Sequence, residues 1–317
     1  MQGGVGNETL SGGTPLKEKN LKNVGASVRR RLLNLARQET RPFQELLQYY
    51  AMERFLFRMS VSPYADLFVL KGAMLLKVWQ APLARPTMDI DMLGRTSNDA
   101  QHIMGIMRHI VADNSQNDGI TFDSASLSSE PITEDADYSG VRIRFRGELD
   151  GARIIMQVDI GFGDTVYPDP EVRSLPSLLG FPEPNLSCYS LESLIAEKFE
   201  VMAKLGILNS RMKDFYDIWL LSRQYAFDGA LLLEAIRRTF GQRGTSLIQP
   251  DLIFNGEFVE VKSVQWVAFR KRLGLTYVPE RFDEVVEQVI AYLSPVSGAL
   301  LGDKVFRQGW IPPDTWT

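Results

Sequence analysis

The sequence predicts an α+β fold, a mixed sheet with flanking helices followed by a mainly helical domain. Three observations predict it. Apolar or alternating runs that suit strands lie between Phe68 and Phe162. Five prolines then punctuate the stretch from Pro168 to Pro184. Beyond them the apolar residues recur at helical spacing. At 317 residues the chain is long enough for a large core and two domains.

Residues 1–23 are polar and Gly-rich and are expected to form a flexible arm. Helices are predicted over Val24–Gln38, which carries the basic cluster Arg29-Arg30-Arg31, and from Phe43 to about Met59. A short apolar run, Phe68 to Leu70, leads into the small turn Lys71-Gly72-Ala73. A helix-like segment to Trp79 and a turn at Pro82 follow. Ser97-Asn98-Asp99 reads as a cap for a helix over Ala100–Val111. Three strands are expected next: Ile120–Phe122 with its extension, Gly140–Leu149 and Ala152–Phe162. The last two flank Asp150-Gly151, a hairpin signal. Five helices are predicted at about 190–205, 211–224, 229–240, 257–273 and 280–293. These elements divide the chain into an α/β domain (24–167), a Pro-rich connection (168–186) and a mainly helical domain (187–317).

Composition narrows the function. Hydrophobic content of 44% and charged content of 23% are those of a globular protein. A net charge of −4 argues against a protein that coats nucleic acid, so any RNA contact must be a local basic patch. The single cysteine, Cys188, excludes a disulfide framework and suits a reducing cytoplasm. His102 and His109 lie seven apart on one helix and read as surface or packing residues. No apolar run approaches the 18 or so residues that span a membrane, and residues 1–13 show no apolar signal core.

The chemistry centres on Arg85-Pro86-Thr87-Met88-Asp89-Ile90-Asp91. On a strand, Asp89 and Asp91 share a face about 6.5 to 7 Å apart at Cα, with Ile90 turned to the core. Carboxylates so spaced can converge on a hard cation such as Mg²⁺, which also binds substrate phosphates. Asp159 ends an almost wholly apolar strand beside Gly161 and Gly163, where a lone carboxylate is costly, and reads as a third acid. On the preceding strand Arg142, Arg144 and Arg146 alternate with Val141, Ile143 and Phe145. That pattern is read as an exposed strand face, with a phosphate-facing surface as the alternative.

A second constellation lies in the helical part. Ser190 caps a helix whose apolar stripe contains Lys198, while Glu197, Glu200 and Lys204 take the other side. A lysine in such a stripe needs an acidic or phosphate partner. The next helix, nearly apolar all round, supplies Asp214 and Asp217 three residues apart, with Arg211 at its start. The residues fit a salt-bridge lock, or a site in which Lys198 holds a triphosphate and Asp214 orients it or takes a proton.

Together these segments resemble the AbiEii/AbiGii family of nucleotidyltransferase-fold toxins, to which the MenT toxins are related. The resemblance rests on Val69-Leu70-Lys71-Gly72, Arg85-x-Thr87-x-Asp89-Ile90-Asp91, Val158-Asp159-Ile160, Ile195-Ala196-Glu197-Lys198 and Arg211-x-Lys213-Asp214-x-x-Asp217, and spans about Phe68 to Leu221. It implies a nucleotidyltransferase-type mixed sheet followed by a helical domain. It also implies nucleotide transfer from an NTP with Mg²⁺ or Mn²⁺, and a toxin of a toxin–antitoxin pair linked to phage defence by abortive infection. RNA, and tRNA in particular, is the acceptor it implies, with an antitoxin protein as partner. Asp89 and Asp91 would be metal ligands, and Lys198 and Asp214 essential active-site residues. The nucleotide-binding set expected is Gly72, Ala73, Lys198, Arg211, Asp214 and Asp217; the catalytic set is Asp89, Asp91, Asp159, Lys198 and Asp214. Where the family has Gly or Ser and then often Thr, this chain has Ala73 and Met74, so phosphate binding there falls to backbone N–H groups. The rival expectations are transfer to a protein or a small molecule such as an antibiotic, and a non-catalytic nucleotide-binding protein.

Overall fold

The structure is a computed structural model that describes residues 23–81, 85–133, 139–274 and 277–317. The expected arm, but for Asn23, and the turn at Pro82 lie outside the described residues.

The chain opens with α1 (Val24–Gln38), capped by the Asn23 side chain, and α2 (Phe43–Ser60), buried along most of its length. Then follow β1 (Phe68–Lys71), a single 3₁₀ turn at Gly72–Met74, the one-turn helix α3 (Leu75–Val78), β2 (Ile90–Gly94) and α4 (Ala100–Ala112). The long strands β3 (Ile120–Thr133), β4 (Ser139–Leu149) and β5 (Ala152–Phe162) come next, then the short β6 (Glu171–Ser174) and β7 (Asn185–Cys188). Helices α5 (Leu191–Leu205) and α6 (Met212–Gln224) are followed by β8 (Phe227–Asp228), α7 (Gly229–Arg243), α8 (Pro250–Ile253), α9 (Gly256–Leu273) and α10 (Phe282–Leu301). The strands β9 (Gly309–Ile311) and β10 (Thr315–Trp316) close the chain.

Seven strands form one mixed sheet in the order β3-β4-β5-β2-β1-β7-β6. The β4–β5 hairpin turns on Asp150 and Gly151, both at positive φ (47° and 77°), the backbone that a two-residue hairpin loop demands. Its register places Arg142 opposite Asp159. β5 then runs parallel to β2 with Asp159 beside Asp91, and β2 runs antiparallel to β1 with Asp91 beside Lys71. One row across four strands therefore reads Arg142, Asp159, Asp91, Lys71.

Two expectations need correction. The Pro-rich stretch is more than a connection: β6 and β7 complete the sheet, β7 pairing parallel with β1. Its loop is tied to α2, where Glu53 accepts from Leu178 N (2.7 Å) and Ser177 Oγ (3.0 Å), and Arg54 donates to Pro182 O (2.7 Å). Asp89 lies just before β2 rather than within it. Ile90 is fully buried, as expected. The C-terminal segment packs on the helical part, with the Trp316 ring stacked on Tyr292 and Trp310 Nε1 donating to Ser222 O (2.6 Å). Among the described residues no helix is long and apolar enough to cross a membrane.

Candidate active site

β2 and β5 bring three acids together. Carboxylate oxygens of Asp89, Asp91 and Asp159 all lie within 4.8 Å of one another. Burial and then the Asp89 charge push the Asp91 carboxyl up to about 6, Asp159 adding to them against the pull of Lys71 and Lys213. Three converging carboxylates, two of them without an ion-pair partner among the described residues, fit a hard cation with oxygen ligands. Thr87 Oγ1 donates to Asp89 Oδ1 (2.5 Å) and orients that acid. Asp159 is clamped by Arg142, Nε to Oδ1 at 2.8 Å and a second nitrogen to Oδ2 at 2.7 Å, and Gln157 Nε2 donates to Oδ2 at 3.3 Å.

Gly72 closes one side of this group. Its φ of +69° suits glycine, and a Cβ there would lie 2.0 Å from Asp91 Oδ2, so no other residue lets the backbone run against the acid. Ala73 and Met74 are buried and continue the turn. Lys71, at the end of β1, pairs with Asp164 (2.6 Å) and Glu197 (3.0 Å). Arg243 binds the same two acids (2.9 and 3.2 Å) and Glu200 (2.7 Å), tying the sheet to α5 and α7. Glu200 is thus buried in this network, which also includes the Thr245 hydroxyl.

Lys198 is buried on α5 and reaches both α6 acids, Asp214 at 3.0 Å and Asp217 at 2.6 Å. Burial works against its charge, but the two carboxylates keep it protonated. Arg85 grips Asp217 through two hydrogen bonds (2.9 and 3.0 Å), and Arg211 donates to Asp214 (2.7 Å). Burial favours the neutral acid at Asp214, yet Lys198 and Arg211 hold it down to about 2. It is therefore a carboxylate at neutral pH and a poor proton acceptor. Three cations thus share two carboxylates. Arg85 also feels the charge of Asp91, and the exposed Lys213 draws the Asp91 carboxyl down, so this network adjoins the acid group.

All predicted site residues therefore fall into two adjoining groups: Gly72, Ala73, Asp89, Asp91 and Asp159 in one, Lys198, Arg211, Asp214 and Asp217 in the other. Sequence reasoning missed Arg85, Lys213 and Arg142 as members. The signal for Arg142 was present: a two-residue turn at Asp150-Gly151 fixes a register that sets Arg142 against Asp159.

Acids gathered on and just before the inner strands of a mixed sheet, with cations close by, suit transfer of a nucleotide from a charged donor. Comparison with known families gives the particular answer. Residues 54–288 match the family described as the nucleotidyl transferase AbiEii toxin of type IV toxin–antitoxin systems, and the chain belongs to it. Two solved Helicobacter pylori structures are similar at 15% identity and a TM-score of 0.48. One is a candidate nucleotidyltransferase, with 83% of this chain and 99% of that one covered; the other is JHP933, with 82% and 94% covered. No curated protein sequence matches this one.

Proposed function

We propose that this chain is the toxin of a type IV pair and transfers a nucleoside monophosphate from an NTP to the hydroxyl of an RNA acceptor, tRNA being the first candidate. The observation that carries the reading is the convergence of the Asp89, Asp91 and Asp159 carboxylate oxygens within 4.8 Å of one another in a chain of this family. Asp89, Asp91 and Asp159 hold Mg²⁺ or Mn²⁺, which when bound neutralises phosphate charge and supplies a Lewis acid. Lys198, Arg85 and Arg211 offer one positive charge more than Asp214 and Asp217 balance, and this surplus meets the triphosphate. The backbone of Gly72 and Ala73 walls the phosphates on the sheet side. Asp159, fixed by Arg142, orients the acceptor hydroxyl. The hydroxyl oxygen attacks the α-phosphorus as its proton passes to solvent, the bond from the α-phosphorus to the α–β bridging oxygen breaks, and pyrophosphate leaves with the electron pair. Asp214 and Asp217 act by positioning Lys198, Arg85 and Arg211. The setting is the cytoplasm, and the antitoxin is a separate protein encoded beside it.

Incubation with α-labelled NTPs, Mg²⁺ and total RNA is expected to label RNA, and Asp89→Ala to abolish the labelling. Label found in protein or small molecules and not in RNA, or labelling that survives Asp89→Ala, would overturn the proposal.

A further inference from the structure

Beside Asp89 lies a cleft of about 410 Å³ lined also by Gln44, Gln48, Met88, Arg153, Ile155 and Gln157. Its base is fixed: the buried Gln48 amide donates to Met88 O (3.2 Å) and Ile155 O (3.0 Å), joining α2 to β5 and to the segment that leads into β2. Its wall is apolar and open to solvent, with Ile155 at 71% and Met88 at 52% exposure. An isoleucine so exposed on an inner strand, beside a catalytic acid, suits contact with a planar ligand better than it suits water.

The cleft continues along an outward face of β4 and β5. The register sets Arg142 against Asp159, Arg144 against Gln157, Arg146 against Ile155 and Glu148 against Arg153. The near end of this ladder is occupied: Arg142 clamps Asp159, and Arg144 binds Gln157 Oε1 (3.2 Å) and Glu130 (3.0 Å). At the far end Arg146 and Arg153 are exposed, and among the described residues neither side chain has an ion-pair or hydrogen-bond partner. Two guanidinium groups beside an apolar shelf, leading directly to Asp89 and Asp159, complement alternating phosphates and bases. Asp123 and Glu148 lie opposite Arg146 and Arg153 in the strand registers without pairing to them, so what the face offers a phosphate chain is two exposed guanidinium groups rather than a wholly basic surface.

We infer that this face is the acceptor track: a single-stranded RNA end lies along β4 and β5, its phosphates on Arg146 and Arg153, with a base on Ile155 and Met88, and its terminal hydroxyl beside Asp159. The inference rests on the reading of RNA as acceptor. It brings the acceptor hydroxyl to the same three acids that hold the triphosphate's cation, the proximity that transfer requires.

The test is the double variant Arg146→Ala/Arg153→Ala in the full chain, with labelled NTP and a single-stranded RNA. These exposed side chains are expected to leave the melting temperature and NTP binding unchanged. KM for RNA should rise about tenfold or more with little change in kcat. The log–log salt dependence of RNA binding should lose a slope of about 1.4, from roughly 0.7 per phosphate contact on a single strand. Lysine at both positions should restore most of the slope. Wild-type protein that labels RNA, with KM and salt slope unchanged in the double variant, would overturn the track while leaving the RNA acceptor standing. Wild-type protein that labels no RNA would overturn both.

Discussion

Around Asp91 three carboxylates converge, and burial with like charge raises one of them to about 6. Around Lys198, one helix away, three cations and two carboxylates alternate at 2.6 to 3.0 Å, and Asp214 is held at about 2. Both groups are drawn from residues that folding would prefer to leave in water. The first is left unbalanced and is a place for a cation to bind. The second is nearly balanced, so it holds its own geometry and keeps only a surplus of positive charge to offer. A conflict that folding leaves in place marks where a ligand acts, and a resolved one marks the scaffold that positions it.

That contrast can be broken by substitution. Asp91→Asn is expected to lower nucleotidyl transfer by about 10³-fold or more, the scale of removing an electrostatic contributor to catalysis. Yet it should raise the melting temperature of the metal-free protein, because it removes a like charge from the group. Lys198→Met should do the reverse for stability. It takes one partner from each of two buried carboxylates, leaving Asp217 to Arg85 and Asp214 to Arg211, and is expected to cost on the order of 2 kcal/mol. Denaturant titration of both variants decides the matter, and a stable Lys198→Met protein would show that the network is not the scaffold described here.

The pH dependence separates the groups further. Asp91 titrates at about 6 in the folded chain, against about 3.9 when unfolded, so the native state holds this proton more tightly. Its contribution to stability is fully present below about pH 4 and is lost as pH rises through 6. Asp214 has the opposite sign. Its folded value of about 2 makes a contribution that is present above about pH 4 and is lost as pH falls through 2, amounting to roughly 2 kcal/mol. Across pH 2 to 8, the melting temperature of Asp91→Asn should rise relative to wild type between about pH 4 and 6, whereas that of Asp214→Asn should fall relative to wild type between about pH 2 and 4. Parallel curves would count against the assignment of either shift.

Most of the architecture was legible in the chain. The β4–β5 hairpin announces itself through alternation and the Asp150-Gly151 turn, and the longer helices through period and caps such as Ser190, whose hydroxyl accepts from Ser193 N at 3.1 Å. β6 and β7 were not legible. Each has four residues amid prolines, and β7 becomes a strand because β1 offers it an edge, a non-local fact. The acids Asp89, Asp91 and Asp159 stood out because carboxylates in apolar runs are costly. Arg85 did not, because its role depends on reaching Asp217 more than a hundred residues later. Helical spacing put Glu200 opposite the apolar stripe but could not show what packs against it. Arg243 and Thr245 arrive at the end of α7.

The most direct test of the account is a Mn²⁺ titration followed by electron paramagnetic resonance at pH 7.5, on wild-type protein and Asp91→Asn. Wild type should take up Mn²⁺, with affinity falling about tenfold or more in the variant. Equal affinity in the two proteins would contradict the claim that the three carboxylates form a cation site.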